Sequence, residues 1–586
     1  MKKLAKLFIV LSITLFTQSV FAQVNSVYQL NLTKMNQLLR AVNDFYVDTV
    51  DFNKLVEEGT VAILKELDPH STYIEPKEVE RANAPLQGGF YGIGVAYQLI
   101  KDTINVVEVV VDGPSEKVGI RVGDKIVKVD TMLACGKNIT NSWVQKHLRG
   151  AKGTKVSIWV KRSGTKDLLE FTVTRDKITQ NSINVYFMVD NNTGYIRLER
   201  FAKDSKIEFE NALTRLKARG LKNLILDLRG NSGGYLGTAF EIADEFISDK
   251  KMIVYTQSIR GNGDRFYSTE KGEFEKGKLI VLIDEGSASA SEIVSGAVQD
   301  HDRGLIVGRR SFGKGLVQRP LNLVDKSEVR LTISRYYTPS GRCIQKPYND
   351  GLESYFNDLN NRSRHGELFS ADSIQFPDSL KFKTAKGRVV YGGGGIMPDI
   401  FIPLDTTRYS SLYNEMVRKG IISSFTMNFM EKNREHLKAV YPTIEDFKKG
   451  FKVDDDLMSQ VMQYAYKEGV KDSVDLLFSA RLQSFVKEKS NVLDSLYQNI
   501  SDIEDLSQLQ KMVDEYVKQS YEESMKVRNL AKVKDYLAEL LMFEFARTLY
   551  SFGEAYQILL QSDETYLKAV DFMKEDKLFR KYMIDK

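Results

Sequence analysis

Between residues 192 and about 345, short apolar runs alternate with stretches of helical periodicity, and no other feature of the chain constrains its fold as strongly. The runs NLILDLRG, KLIVLIDEG and GLIVGRR are short and strongly apolar, which is typical of strands buried on both faces. The stretches IEFENALTRLKARG and TAFEIADEFISD have the apolar spacing of helices. This order of elements predicts an α/β core with buried strands, and we expect catalytic residues there.

In a second region, residues 88–178, the apolar residues follow a different periodicity. The segments INVVEVVVDG, DKIVKVD, KVSIWVKR and LLEFTVTRD are short β-rich runs separated by Gly, Asp and Pro residues. This pattern predicts a compact β-rich domain inserted before the α/β core.

Helical segments flank these two regions. Near the N-terminus, Leu38, Val42 and Phe45 lie at helical spacing. From residue 443 onwards the sequence has no proline and only three glycines, and apolar residues again repeat at helical spacing. The chain is therefore predicted to be a multidomain α/β protein with helical N- and C-terminal regions.

The first 22 residues have the pattern of a secretory signal peptide. Three lysines precede the ten-residue apolar run LFIVLSITLF, and Ala22 stands at the expected cleavage position. A membrane anchor is the alternative, but a span needs about 20 apolar residues. No other apolar run of that length follows. We expect a periplasmic or otherwise exported protein with no integral membrane span after removal of the signal.

Length, charge and cysteine content limit the classes of partner and site. The 83 Lys and Arg residues against 78 Asp and Glu leave a net charge of +5 without a long basic block, which argues against nucleic acid as a partner. Cys135 and Cys343 lie far apart and offer no metal-binding spacing; a disulfide between them is permitted outside the cell but not established. The predicted segments are 1–22, 24–87, 88–178, 179–404 with a polar insertion at about 346–390, and 405–586.

The segment DEGSASASEIVSGA, residues 284–297, contains four serines: Ser287, Ser289, Ser291 and Ser295. It follows the strand KLIVLID and leads into the helix SEIVSGAVQD, so Ser289 is predicted to lie at a strand-to-helix elbow. The N–H groups of a first helical turn stabilise a developing oxyanion, which suits a nucleophile. Alternatively, Ser287 or Ser289 only caps the helix, with Glu292 completing a capping box.

A nucleophilic serine needs a base, and the α/β region offers two candidates. His301, in QDHDRG, lies at a polar helix end, where a solvated or turn histidine is the ordinary expectation. Lys314, in RRSFGKGLVQ, is flanked by glycines, and a desolvated lysine has a neutral amine that accepts a proton. Gln318 would orient that amine. Spacing alone does not distinguish a catalytic lysine from a surface lysine.

These motifs together resemble those of the carboxyl-terminal processing peptidases, the tail-specific serine proteases with a Ser-Lys dyad. In SASASEI and the segment after it, Lys314 follows Ser289 by 25 residues and Gln318 follows four residues later. LDPHSTYI, LILDLRGNSGGYL, RLTISRYYTPSGRCIQ and GGGIMPDI accompany them in the family's order, so the resemblance covers residues from about 35 to 405. No motif of the family covers the last quarter of the chain.

The resemblance implies a crotonase-like protease core with Ser289 as nucleophile, Lys314 as general base and Gln318 as orienting residue. In RGNSGG, the N–H of Gly233 or Gly234 would form the oxyanion hole together with that of Ala290. A plain glycine turn between a strand and a helix is the alternative interpretation of RGNSGG.

The β-rich region resembles a PDZ domain. GGFYGIGV is similar to its carboxylate-binding loop, here Gly92, Ile93 and Gly94, and GPSEKVGIRVGDKIVKVD is similar to a segment of protease-linked PDZ domains. In that mode of binding, loop amides hold a terminal carboxylate while the peptide adds as a strand to a sheet edge. The implied partners are proteins or peptides with accessible C-termini. No metal or organic cofactor is implied, and homo-oligomer formation is left open.

The resemblance thus implies an exported serine endopeptidase that recognises C-terminal tails through a PDZ domain. One alternative is a catalytically silent PDZ adaptor, which would not need serine, lysine and glutamine together. Another is a lyase or thioesterase on a crotonase-like core, which would need an acyl-carrier site and gains nothing from a PDZ domain.

Overall fold

The computed structural model describes residues 26–470 and 530–580, apart from 101, 249, 260, 407–409, 532 and 578. The predicted signal peptide lies outside the described residues. The chain divides into two units, residues up to Tyr73 and residues from Ile74 onwards.

The first unit is helical, as predicted. Its elements are α1 (26–45), α2 (Phe52–Lys65) and the start of β1 (Thr72–Ile74). Helix α2 begins where the side chain of Asp51 accepts a hydrogen bond from the N–H of Lys54. In the motif LDPHSTYI, the carboxylate of Asp68 accepts from the N–H groups of His70 and Ser71 and so closes the turn after α2.

The second unit begins with α3 (Val79–Asn83) and the β-rich domain. The domain contains β2 (Gly89–Gly92), β3 (Val95–Ile100), β4 (Thr103–Val109), α4 (Pro114–Val118), β5 (Lys125–Val129), β6 (Met132–Leu133), α5 (Asn141–Leu148), β7 (Lys155–Lys161), β8 (Leu169–Thr174) and β9 (Asp176–Thr179). An antiparallel sheet runs in the order β3-β4-β5-β7-β8, with β6 beside β5, and β2 pairs separately with β9. Within the described chain β3 has β4 as its one strand partner, so no described strand pairs with the other edge of β3, which we call its open edge.

The α/β core follows the order predicted from its apolar runs. Its elements are β10 (Val185–Met188), β11 (Thr193–Arg197), α6 (Ser205–Lys217), β12 (Asn223–Asp227), α7 (Leu236–Asp244), β13 (Met252–Ser258), β14 (Gly261–Tyr267), β15 (Leu279–Ile283), α8 (Ala290–Asp300), β16 (Leu305–Gly308), β17 (Leu316–Asn322) and β18 (Glu328–Tyr337). Strands β13, β14, β17 and β18 form an antiparallel sheet.

The polar insertion contains more regular structure than its sequence suggested. It folds into α9 (Gly351–Phe356), α10 (Asp358–Arg364), β19 (Lys381–Lys383) and β20 (Val389–Tyr391), which is followed by β21 (Ile400–Phe401). Strands β19 and β20 form an antiparallel hairpin.

The central sheet has the order β10-β11-β12-β15-β16-β21 and is parallel except for β10. All five residues of β15 are buried, because the strand lies between two layers and both of its faces meet apolar side chains. One face packs against α6, α7 and α8 through residues such as Phe209, Ile242 and Val294.

The C-terminal helices are α11 (Ser411–Arg418), α12 (Ile421–Val440), α13 (Ile444–Gly450), α14 (Asp455–Lys467), α15 (533–549), α16 (Phe552–Leu559) and α17 (Glu564–Lys574). Helices α11 to α16 share one apolar core. Helix α17 instead covers the second face of the central sheet, where Tyr566 and Val570 pack with Tyr195 and Ile280. None of the helices in the described part of the chain is long and apolar enough to cross a membrane.

Candidate active site

Ser289 lies at the predicted elbow between β15 and α8 and is the N-cap residue of α8. Its backbone has φ 54° and ψ −110°, a conformation that non-glycine residues rarely adopt. Such a conformation costs about 1–3 kcal/mol and persists only where the surrounding structure enforces it. The capping box that the sequence suggested for Ser289 and Glu292 is present.

The hydroxyl groups of the four serines differ in what they contact. The side chains of Ser287, Ser291 and Ser295 are fully buried and donate to the carbonyl oxygens of Leu228, Asn231 and Ser291, respectively. The hydroxyl of Ser287 also accepts from the N–H of Asp284, which precedes the helix, so Ser287 closes the turn rather than capping α8. Of the four serines, Ser289 is the one with solvent exposure. Ser289 therefore combines the cap position with access for a substrate.

The carboxylate of Glu292 connects the elbow at Ser289 to the lysine loop, residues 309–315 between β16 and β17. Its Oε2 accepts from the N–H of Ser289 at 2.8 Å and from the N–H of Lys314 at 2.9 Å. Its Oε1 accepts from the N–H of Gly313 at 2.7 Å and from the hydroxyl of Ser311 at 2.5 Å. Complete burial raises the pKa of Glu292, and these four hydrogen bonds only partly oppose the increase.

Tyr336 makes a second connection between the same two segments. Its hydroxyl lies 3.0 Å from the carbonyl oxygen of Ser289 and 2.8 Å from that of Lys314, and its proton is shared between them. The side chain is 1% exposed, and this burial raises the pKa of Tyr336 well above its ordinary value. The residue therefore remains a neutral donor at any working pH.

His301, the alternative base, lies at the opposite end of α8 from Ser289. It is the C-cap residue of this 11-residue helix, which is about 16 Å long. Its ring Nε2 lies 2.6 Å from the carbonyl oxygen of Met252. His301 therefore does not reach Ser289, and Lys314 is the candidate whose main chain lies beside the elbow.

Gly233 lies directly against the serine. A Cβ atom on Gly233 would come within 2.9 Å of Ser289 Cβ and 3.0 Å of the Ala290 nitrogen, and its φ is +108°. Only glycine fits this position. The N–H of Gly233, however, donates to the side-chain oxygen of Asn231 at 2.9 Å and so is already occupied.

Gly234 and Ala290 leave their N–H groups available. No described residue accepts a hydrogen bond from either group. The carbonyl oxygen of Asn231 accepts from the N–H of Ala288 at 3.0 Å and from the hydroxyl of Ser291 at 2.7 Å, which ties the glycine turn to the start of α8. Of the two glycines, Gly234 is therefore the one whose N–H has no acceptor among the described residues, and its role as an oxyanion donor stays a prediction.

Gln318 lies on β17 opposite Thr332 of β18, next to a shift in strand register. Its side-chain amide donates to the hydroxyl of Thr332 at 3.3 Å. Its predicted role in orienting the lysine stays a prediction.

Residues of the polar insertion contact the lysine loop. Arg362 of α10 donates to the carbonyl oxygens of Ser311 at 3.1 Å and Arg310 at 2.7 Å. The N–H of Lys346 donates to the carbonyl oxygen of Gly313, and the Lys346 amine lies 4.0 Å from the ring centre of Phe312. The insertion thus contributes to the rigidity of the loop that carries Lys314.

The three residues of the predicted carboxylate loop immediately precede β3, the strand with the open edge. Gly92 ends β2, Ile93 is buried in the core of the domain, and Gly94 has φ +76°. This placement beside an open strand edge is the one that strand addition requires.

Sequence reasoning missed several residues of the site. Tyr336 and Asn231 were not singled out, and Glu292 was considered only as a capping residue. For Glu292 and Asn231, the signal was position within the motifs SASASEI and RGNSGG. For Tyr336, the signal was a tyrosine on a strand inside RLTISRYYTPSGRCIQ.

Comparison with known proteins places this geometry in a family. The model of peptidase family S41 matches residues 192–353, and the PDZ domain model matches residues 92–174. The carboxy-terminal-processing protease of Bartonella bacilliformis is 33% identical over 346 residues, which cover 58% of this chain and 79% of that protein. The chain belongs to the carboxy-terminal processing proteases of peptidase family S41. It is a serine peptidase with a PDZ domain, so the predicted family, fold class and enzyme class are confirmed.

Two further proteins that are similar to this chain are also named as processing proteases. The carboxy-terminal processing protease CtpB of Bacillus subtilis is 30% identical over 363 residues, 61% of this chain and 73% of its own length. A solved photosystem II D1 C-terminal processing protease is 27% identical, covers 53% of this chain and 83% of its own, and has a TM-score of 0.33. A family of unknown function matches residues 412–483 of this carboxy-terminal processing protease.

Proposed function

We propose that this carboxy-terminal processing protease is an exported endopeptidase that cleaves with Ser289 as nucleophile and Lys314 as general base. The observation that carries the proposal is the pair of bridges, Glu292 and Tyr336, that fix the main chains of these two residues against each other. Export is supported by the signal-peptide pattern of the first 22 residues. Protein from the periplasmic fraction is then expected to begin at Gln23, whereas an intact N-terminus would contradict export.

The chemistry assigned to these groups is acyl transfer. Ser289 Oγ attacks the peptide carbonyl while the neutral amine of Lys314 accepts its proton. The resulting oxyanion would accept hydrogen bonds from the N–H groups of Gly234 and Ala290. The Lys314 ammonium then gives its proton to the leaving amine, and water hydrolyses the acyl enzyme in the same manner.

The PDZ domain is proposed to select the substrate. A C-terminal peptide would add as a strand to the open edge of β3, with its carboxylate held by N–H groups of the Gly92 to Gly94 loop. This loop and edge are adjacent, so one peptide would satisfy both.

The test uses purified mature protein and an unfolded substrate with an apolar C-terminal tail. Ser289→Ala is expected to lower the cleavage rate by about 10³-fold or more. Lys314→Arg should be nearly as inactive as Lys314→Ala, since a guanidinium stays protonated and cannot act as a base. The matched control is Ser295→Ala, which removes a serine hydroxyl from the same helix and should retain activity.

Two outcomes would reject the proposal. Cleavage by Ser289→Ala in a preparation free of other proteases would exclude Ser289 as nucleophile. A tenth or more of normal activity in Lys314→Arg would reduce Lys314 to an electrostatic role. A catalytically silent adaptor, the second candidate, would bind the tail without cleaving it in any variant.

A further inference from the structure

The C-terminal segment contacts the protease core through Asp563, the N-cap residue of α17. One carboxylate oxygen of Asp563 accepts from the N–H of Tyr566 at 2.9 Å, which caps the helix. Both oxygens also accept from a single nitrogen of Arg229, at 2.7 and 2.9 Å. Helix α17 and Asp563 lie outside the residues matched by the family models.

Arg229 is held between two carboxylates. Its Nε and Nη2 donate to Asp227, at the end of β12, over 2.7 to 3.1 Å, and its Nη1 donates to Asp563. Asp227 is fully buried and also accepts from the hydroxyl of Tyr195 at 2.6 Å. The guanidinium is therefore fixed from both sides by partners on separate layers of the fold.

The protonation states fit this arrangement. Burial alone would raise the pKa of Asp227, but the Arg229 and Arg197 guanidinium groups and their hydrogen bonds keep that pKa below its ordinary value. Burial opposes the charge on Arg229, yet Asp227 and Asp563 raise the pKa of Arg229 well above its ordinary value. Both members of the Asp227–Arg229 pair are thus charged at any working pH.

Arg229 starts the turn that reaches the nucleophile. The next residue, Gly230, donates its N–H to Asp284 at 2.8 Å, and Asn231 holds the N–H of Gly233. Gly233 in turn lies against Ser289. A displacement of Arg229 would therefore be passed to the turn that carries the oxyanion donor.

We propose that Asp563 is a positioning residue for the oxyanion turn and acts through Arg229, so that the C-terminal helix takes part in catalysis without touching the substrate. This inference rests on the proposed role of Ser289. Without Asp563, one carboxylate would have to neutralise and orient a largely buried guanidinium that the native fold holds with two. A more mobile Arg229 would disturb the position of the turn that follows it more than it would lower the stability of the fold.

The experiment separates positioning from helix capping and from docking of the C-terminal segment. Asp563→Ser keeps a capping side chain but is too short to reach Arg229, whereas Asp563→Asn keeps both the cap and one acceptor oxygen. The matched control is Asp576→Asn. Asp576 pairs with Lys278 just before β15, so it joins the same segment to the sheet at the opposite end of the parallel strands.

Asp563→Ser is expected to lower kcat by about ten- to a hundredfold with KM within about twofold, because a misplaced oxyanion donor weakens the transition state. It should also weaken inhibition by a peptide aldehyde, which forms a tetrahedral adduct, by a similar factor. Asp563→Asn should restore part of kcat. Asp576→Asn should stay within about twofold of the wild type in kcat.

Three results would overturn the proposal: a kcat for Asp563→Ser within twofold of the wild type, an effect confined to KM, or an equal loss of kcat in Asp576→Asn. If Asp563→Ser does not fold, as judged by circular dichroism, the same three criteria are applied to Asp563→Asn. Ser289→Ala is measured in parallel. Activity in that variant rejects the proposed function, whereas an inactive Ser289→Ala beside a fully active Asp563→Ser rejects only this inference.

Discussion

The backbone N–H groups of Ser289 and Lys314 donate to the same atom, Oε2 of Glu292, at 2.8 and 2.9 Å. The carbonyl oxygens of the same two residues both accept from the hydroxyl of Tyr336. The main chains of the proposed nucleophile and base are thus joined on both polar sides by side chains that are themselves buried. Rigid positioning of the reacting groups lowers the barrier of the chemical step. Substitution of Glu292 or Tyr336 should therefore change kcat more than it changes KM.

Tyr336→Phe removes one of these bridges without changing the volume of the core. We expect kcat to fall about tenfold with KM nearly unchanged, and the free energy of unfolding to fall by about 1 kcal/mol. Steady-state kinetics and urea unfolding check both numbers. The matched control is Tyr550→Phe, which removes a hydroxyl that donates to the carbonyl oxygen of Tyr441 in the C-terminal helices. An equal loss of kcat in both variants would contradict a specific role for Tyr336.

Glu292→Gln tests the pKa of the buried carboxyl group. In the folded protein the pKa of Glu292 is raised above its ordinary value of 4.5, so between those two values the folded state holds a proton that the unfolded state has released. Stability from this group is therefore complete below pH 4.5 and is lost as pH rises through the raised value. The advantage of wild type over Glu292→Gln in free energy of unfolding should shrink with rising pH, by at most about 1.4 kcal/mol per pH unit.

Urea unfolding of both proteins between about pH 4.5 and 8 measures that difference. If the difference in free energy of unfolding between wild type and Glu292→Gln grows with pH, the four hydrogen bonds to Glu292 outweigh its desolvation. In either case, the amide introduced by Glu292→Gln would place an NH₂ group against two donors. We therefore expect Glu292→Gln to lose activity at every pH tested.

Gly233→Ala tests the close approach of the glycine turn to Ser289. The added methyl group would come within 2.9 Å of the Ala288 carbonyl oxygen and of Ser289 Cβ, in a backbone conformation that already disfavours side chains. Activity should fall at least about a hundredfold. The matched control is Gly230→Ala in the same turn, which also has a positive φ but no atom within 4 Å of the added group. Comparable losses in the two variants would show that backbone strain, not contact with Ser289, is responsible.

The elements around the site were predictable because each depends on local pattern. The five apolar residues of β15, the small-residue turn and the periodicity of α8 are adjacent in the sequence, so they place Ser289 at an elbow without knowledge of the rest of the fold. The exclusion of His301 needed only the length of α8.

The second layer of the central sheet could not be predicted in this way. The periodicity of α17 shows that the helix has an apolar face, but not which surface receives it, and the pattern suggested a separate C-terminal domain. The contact between Arg229 and Asp563 joins residues 334 positions apart. A charged residue next to a glycine turn gives no local sign of so distant a partner.

Gly94→Val tests whether the PDZ domain reads the terminal carboxylate of a substrate. The residue has φ +76°, and a Cβ atom there would lie 3.1 Å from Ile178 of β9 and 3.2 Å from Pro114, so valine should distort the loop before β3. We expect a free C-terminus to be favoured over an amidated one by the intact enzyme, and this preference to be lost in Gly94→Val. The rate on a short peptide ester that bypasses the PDZ domain should remain, because Ser289 and Lys314 are untouched. Gly164→Val is the matched control in the same domain, since Gly164 has φ +78° but open space around it. Equal cleavage of free and amidated tails by the intact enzyme would show that the carboxylate is not read, and the tail-specific part of the proposed function would then have to be withdrawn.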